Sequence, residues 1–210
     1  MIAVTNNQKH QFERQGILFV VSAASGTGKS TLCDSLRHSD NFIYSVSCTT
    51  RKPRPGEIEG EDYFFLSKEE FERRIAADGF LEYAPVHDNY YGTPKAPVIE
   101  ALKNGTDVLL DIDIQGAEQI RRCTDPIIQG SLVDVFIIPP TFEELERRLR
   151  KRGTESEEQI QLRLKTGREE MKVWKSYRYT ILSGSMEEDL TKFRAIMRAE
   201  HYLSSRLTLL

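Results

Sequence analysis

The segment from Ile17 to Leu32, ILFVVSAASGTGKSTL, constrains the fold of this chain more than any other. Its apolar half, Ile17 to Val21, shows no polar alternation, which fits a strand covered on both faces within a parallel sheet. Ser30, Thr31 and Leu32 then open a helical pattern. Between them, Gly26 and Gly28 let the backbone turn its N–H groups inward around phosphate oxygens, and the helix starting near Lys29 adds the positive end of its dipole. Ala23, Ala24, Ser25, Gly26, Thr27, Gly28, Lys29, Ser30 and Thr31 thus form a candidate cradle for nucleotide phosphates. Lys29 would reach the outer phosphates, and the Ser30 hydroxyl would ligate Mg²⁺. Ala23 stands where the G-x-x-x-x-G-K-[ST] pattern begins with Gly. The alternative is a Gly-rich turn joining a core strand to a helix, but strand, glycines, Lys-Ser and helix all agree on the cradle. The loop specifies phosphate and leaves the reaction open.

At 210 residues the chain allows one large domain, or a core with a modest insertion. A net charge of −3 argues against a general binder of nucleic acid or membrane surfaces, so any anion site must be local. Cys33, Cys48 and Cys123 are odd in number and widely spaced, and with His10, His38, His87 and His201 they form no metal-ligand spacing. They indicate a reducing compartment without a disulfide framework. Residues 1–16 are polar and lack the apolar core of a signal peptide, and no apolar run is long enough to span a bilayer. A cytoplasmic location is expected.

Strands alternating with helices predict an α/β fold: a parallel sheet with right-handed crossovers, helices on both faces, and ligands at the carboxyl ends of the strands. Residues 1–16 read as a flexible tail. The core spans 17–44 and 94–210, interrupted by an insertion at 45–93. Strands are expected at Phe42–Ser47, Tyr63–Leu66, Phe80–Val86, Asp107–Ile112, Val133–Ile138 and Tyr179–Leu182, with a turn-rich stretch at Asp88–Gly92. The first helix should end near His38 to Asn41, and Ser67 should cap another, with Glu70 at the capping-box position. Further helices are expected from Pro94 to Lys103, Gln115 to Arg122, Phe142 to Lys151, onward to about Lys175, and from Glu187 to about Ser205.

Beyond the loop, Arg51 and Arg54 lie on a Pro-stiffened segment, with Tyr63 and Tyr91 further on. Arginine forks fit phosphate oxygens bidentately and tyrosine hydroxyls complete the coordination, which suits a monophosphate; a solvated basic loop is the alternative. Glu82, in Phe-Leu-Glu-Tyr, reads by itself as an outward strand residue. Asp111 and Asp113 share a face at the carboxyl end of an apolar strand, where one acid can hold Mg²⁺ or its water shell and the other a second ligand, unless the pair simply faces solvent. Arg147, Arg148, Arg150, Lys151 and Arg152, then Arg163 and Arg168, surround the break at Gly153. Helical charges mostly pair at i,i+4, and Glu143, Glu144 and Glu146 offer partners. A basic segment broken by glycine also suits a lid, at about 141–168, that brings arginines onto a phosphoryl group and excludes water.

From Ile17 to about Leu203 the chain resembles the guanylate kinase family. The matching runs are Ser22–Thr31 (SAASGTGKST), Ser45–Gly56 (SVSCTTRKPRPG), Gly60–Tyr63 (GEDY), Phe80–Tyr83 (FLEY), Asn89–Thr93 (NYYGT), Leu110–Gly116 (LDIDIQG) and Arg152-Gly-Thr154. The resemblance implies a P-loop-type core carrying a small mixed α+β GMP-binding region and a helical lid. It implies Mg²⁺-dependent transfer of the γ-phosphoryl group of ATP to GMP, giving ADP and GDP, with dGMP acceptance left open and no nucleic acid or membrane partner. By the same carry-over, Arg51, Arg54, Tyr63 and Tyr91 hold the GMP phosphate, and Ser47, Glu82, Thr93 and Asp113 surround the guanine. Lys29, Arg148, Arg152 and Arg163 contact the ATP phosphates, while Ser30 and Asp111 serve the metal, Asp111 directly or through water. Guanine presents N1–H and N2 amino donors side by side, so a carboxylate can accept both. Adenine would leave that carboxylate unpaired, a difference worth ~10⁴-fold or more. The acceptor is already an anion, so no proton-transfer residue is nominated. The chain departs from the family in two places: Ser183-Gly184 replaces a frequent Asn-Asp near the adenine, and Thr93 replaces Ser. The rival readings are a guanylate-kinase-like binding module, disfavoured by the intact loop, and a kinase for another nucleoside monophosphate, disfavoured by Glu82 and Asp113.

Overall fold

In the computed structural model, which describes residues 12–37, 42–153 and 156–209, the strand β2 (Leu18–Ala23) sends alternate residues into two separate cores. Leu18 and Val20 pack with Ala101, Leu102, Ala117 and Ile120, whereas Phe19 and Val21 pack with Leu32, Leu36, Phe193 and Met197. Successive strand residues point to opposite faces, so a strand covered twice needs apolar residues at every position. The first core is roofed by helices α3 (Lys95–Lys103), α4 (Ile114–Arg121) and α5 (Pro126–Ser131), the second by α1 (Lys29–Arg37) and α8 (Met186–His201).

β2 is central in a parallel sheet with β3 (Phe42–Tyr44), β8 (Asp107–Asp111), β9 (Leu132–Ile138) and β10 (Tyr179–Leu182), in the order β10-β9-β2-β8-β3. The loop after β2 therefore opens between the carboxyl ends of β8 and β9, where ligands gather in such sheets. The α/β expectation holds.

The segment between β3 and α3 forms a mixed sheet of β4 (Cys48–Thr49), β5 (Phe64–Phe65), β6 (Phe80–Val86) and β7 (Asn89–Pro94), in the order β5-β4-β7-β6. Helix α2 (Lys68–Ala76) covers it through Phe71, whose ring stacks on Phe80 at 4.3 Å and Tyr90 at 5.3 Å. With Cys48 these rings make a cluster apart from the two main cores. Helices α6 (Phe142–Arg152) and α7 (Glu157–Glu170) make another, from Leu145, Leu149, Ile160 and Leu164.

Several expectations are corrected. Asp88–Gly92 is mostly strand: the turn is confined to His87 and Asp88, with His87 at φ 54°, and the two tyrosines extend β7. Part of the expected tail, β1 (Phe12–Arg14), pairs antiparallel with β11 (Leu207–Leu209), while residues 1–11 lie outside the described residues. α5 arises from Asp125-Pro126, where the aspartate caps Ile127 N at 2.9 Å and proline occupies the first turn. The long charged helix ends at Glu170 and continues as 3₁₀ turns over Met171–Ser176. α8 stops at His201. Ser67 caps α2, but Glu70 pairs with Arg73 and Arg74 instead of closing a capping box. The expected end of α1 at 38–41 lies outside the described residues. Among the described residues no helix is long and apolar enough to cross a membrane.

Candidate active site

β2 ends at Ala23, and Gly26 (φ +92°) and Gly28 (φ +96°) take the left-handed backbone that carries the chain back into α1 at Lys29. Thr27 steadies the turn, its hydroxyl donating to Ala24 O at 2.8 Å. The two glycines differ in surroundings. A Cβ on Gly26 would lie 2.7 Å from Leu149 Cδ2, whereas one on Gly28 would meet nothing within 4 Å. Gly26→Ala is therefore expected to lose about 2–4 kcal/mol of stability, from backbone strain plus a clash, and Gly28→Ala about 1–2 kcal/mol from strain alone. Paired thermal unfolding curves check the order.

Lys29 Nζ pairs with the Asp111 carboxylate at the end of β8 and donates to Ile112 O at 3.2 Å. Ser30 is exposed in the first turn of α1. Lysine and carboxylate thus meet at one end of the sheet, with Ser30 following Lys29 in the chain.

The second anion cluster assembles around Arg51. Its Nε donates to Tyr91 OH at 3.2 Å, and its guanidinium lies 5.3 Å from the Tyr63 ring centroid. Its two Nη atoms grip Glu57 through two 2.8 Å bonds, and the Arg54 backbone N–H donates to the same carboxylate at 2.6 Å. These donors hold the Glu57 carboxyl down at about 2. Arg51 is thus already shaped for a planar anion. Glu57 was legible only as part of an acidic stretch; Gly56, at φ +90°, makes the turn that brings it back. The Arg54 side chain is exposed.

A cleft of about 170 Å³ joins these clusters, lined by Ser47, Tyr63, Glu82, Tyr91, Asp111 and Asp113. Glu82, read from sequence as outward-facing, is only 8% exposed. It sits opposite Thr93 across the β6–β7 ladder and accepts the Thr93 hydroxyl at 2.6 Å. Burial pushes its pKa up, the Thr93 bond lowers it, and the neighbouring Asp113 raises it again. A Cβ on Gly116 would lie 2.9 Å from Glu82 Oε2, so glycine there lets α4 close behind the carboxylate. Asp113 caps α4, accepting Gly116 N–H at 2.8 Å, a helix-capping role the sequence reading did not assign.

The basic run divides. Arg148 reaches the loop: it donates to Ser183 Oγ at 2.7 Å, Ser183 O at 3.2 Å, Gly184 O at 3.4 Å and Thr27 O at 3.4 Å. Asp189 holds that corner through Ser183 Oγ at 2.8 Å and Gly184 N at 2.9 Å. Arg163 is half-buried on α7, and the Arg152 side chain lies outside the described residues. Arg147 pairs with Glu144, Arg150 with Glu146 and Glu157, and Arg168 lies over the Phe142 ring at 4.2 Å. Arg147–Glu144 and Arg150–Glu146 are ordinary helix-surface pairs, as is the further bond of Arg148 to Glu144, whereas Arg150–Glu157 and Arg168–Phe142 join α6 to α7.

Comparison with known proteins gives one consistent result. The family model described as guanylate kinase matches residues 15–200. The guanylate kinase of Clostridium tetani is 47% identical over 186 residues, covering 89% of this chain and 87% of that protein. That of Caldanaerobacter subterraneus is 46% identical over 189 residues, covering 90% and 89%. Among solved structures, the guanylate kinase from Anaplasma phagocytophilum superposes with a TM-score of 0.71 at 33% identity, covering 94% of this chain and 92% of that one. On the match of the family model and the extent of these identities, the chain belongs to the guanylate kinase family.

Proposed function

We propose that this chain transfers the γ-phosphoryl group of ATP to GMP, giving ADP and GDP, with the residue roles that follow. The observation that carries the acceptor assignment is Glu82: a buried carboxylate, raised in pKa, whose charged neighbour is another acid, facing a cleft also lined by Tyr63 and Tyr91, the two tyrosines that flank the Arg51 guanidinium. Guanine's paired N1–H and N2 donors supply what this carboxylate lacks. Ser47, Glu82, Thr93 and Asp113 read the base, and Arg51, Arg54, Tyr63 and Tyr91 take the phosphate, which displaces or shares Arg51 with Glu57.

ATP phosphates lie on residues 23–31. Lys29 leaves Asp111 for the donor phosphates, and Arg148, Arg152 and Arg163 add positive charge as the lid, about 141–168, and the insertion, 45–93, close on the core. Ser30 and Asp111 are hard oxygen donors that suit Mg²⁺, which takes few protein oxygens beside phosphates; when bound it neutralises phosphate charge. The acceptor phosphate is an anion, so the chain's task is positioning and charge stabilisation without a general base. The three unpaired cysteines support a cytoplasmic setting.

ADP formation from ATP·Mg²⁺ should be strong with GMP and at least ~10⁴-fold weaker in kcat/KM with AMP, CMP or UMP. dGMP, sharing base and phosphate, belongs in the same panel. Comparable turnover with AMP would remove Glu82 from base selection, and no turnover with any acceptor would remove the kinase reading.

A further inference from the structure

The phosphate loop is held from the helical side as well as from the sheet. Ser25 N–H donates to Glu170 Oε2 at 2.7 Å. Glu170 is half-buried and is the last residue of α7, where the helix gives way to the 3₁₀ turns of Met171–Ser176. Two glycines ease the packing around this bond: a Cβ on Gly26 would lie 2.7 Å from Leu149 Cδ2 and one on Gly167 2.8 Å from Leu145 Cδ2, both on α6, and the latter would come within 3.9 Å of Ser25 O. Helix α7 thus runs beside the loop at Gly167 and ties it through the Glu170 carboxylate three residues on.

A hydrogen bond from a backbone N–H to a carboxylate is stronger than a neutral one, and this bond fixes the residue immediately before Gly26. The orientation of Ser25 sets where the following amides, those of the cradle, can point. A change from α-helix to 3₁₀ geometry at the same residue also marks a site where helix direction can change.

We propose that Glu170 is a positioning residue for the donor nucleotide: its carboxylate pins the crest of the phosphate loop and couples the loop to the end of α7, so that loop and lid helix adopt their ATP-holding arrangement together. The proposal rests on the reading of residues 23–31 as the ATP cradle. Glu170 contacts Ser25, and its effect on phosphate passes through that backbone.

Glu170→Ala is expected to raise KM for ATP about 10-fold or more, with KM for GMP within about twofold of the unaltered protein. Glu170→Gln, whose amide oxygen can accept the same bond, should recover most of the loss, and both variants should unfold within a few degrees of the parent. An unchanged ATP KM, a lowered one indicating that the carboxylate competes with phosphate, an equal rise for both substrates, or a glutamine variant no better than alanine each overturns the proposal. A second measurement needs no variant. In the nucleotide-free protein, hydrogen exchange at the Ser25 amide should be protected, and exchange at the rate of an open loop would overturn the contact. The unaltered protein's turnover of ATP with GMP keeps the two readings apart: if it is absent, the kinase assignment fails, while Ser25 exchange still decides the tether.

Discussion

Lys29→Ala is expected to lower kcat by roughly 10³-fold or more while GMP still binds. The lysine opens α1 at the mouth of the loop, and its charge rests on Asp111 and Ile112 O. Its loss acts twice. The donor phosphates lose a cation, and Asp111 loses its Lys29 partner. Adding Asp111→Asn to Lys29→Ala removes the Asp111 charge together with a metal-serving carboxylate, so the double variant should recover none of kcat, while GMP affinity, in a cleft that Asp111 borders, should fall no more than a fewfold. Steady-state ADP formation, with GMP binding followed by calorimetry, measures both; kcat within tenfold of the parent would exclude Lys29 from charge stabilisation.

Glu82→Gln should reduce kcat/KM for GMP by roughly 10²-fold or more, since glutamine offers one acceptor and one donor where guanine presents two donors. ATP affinity should stay within a fewfold of the parent. The same change should stabilise the empty protein at neutral pH. Burial raises the folded pKa of Glu82 above its unfolded value, so the folded state keeps the proton more readily. Its stability deficit is absent below the unfolded value, grows as pH rises toward the folded value, and is complete above it. Glutamine never ionises, so unfolding curves of parent and variant should converge in acid and separate toward neutrality, the variant higher. A variant less stable at neutral pH would mean that Glu82 is compensated by a partner other than the Thr93 hydroxyl.

The strand–loop–helix unit was legible because everything that builds it is contiguous: the apolar run, the two glycines and Lys29-Ser30 lie within one stretch. Arg51, Tyr63 and Tyr91 were legible as residue types, and the structure brings them together through the pairing of β4 with β7. What stayed hidden depends on partners distant in the chain. The inward direction of Glu82 follows from its register with Thr93 and from the absence of a Cβ at Gly116, neither visible in Phe-Leu-Glu-Tyr. β1 exists only because Leu207–Leu209 lies beside it. Glu57 and Glu170 were two acids among many, and only folding sets one in the Arg51 fork and the other on Ser25. Helix ends were misplaced for a local reason: Met171–Ser176 continues a helical hydrogen-bond pattern in a tighter form.

The small clusters at Leu145–Leu149–Ile160–Leu164 and at Cys48–Phe71–Phe80 have a consequence for how this protein can change over generations. Neither shares a buried residue with the cores that cover β2. A volume change at Phe71 is felt first within the inserted sheet that borders the acceptor cleft, whereas one at Leu164 can reach the first core through Met171, which packs against both. Substrate choice can therefore drift, or be selected, on a schedule separate from that of the scaffold, while closing behaviour stays tied to it.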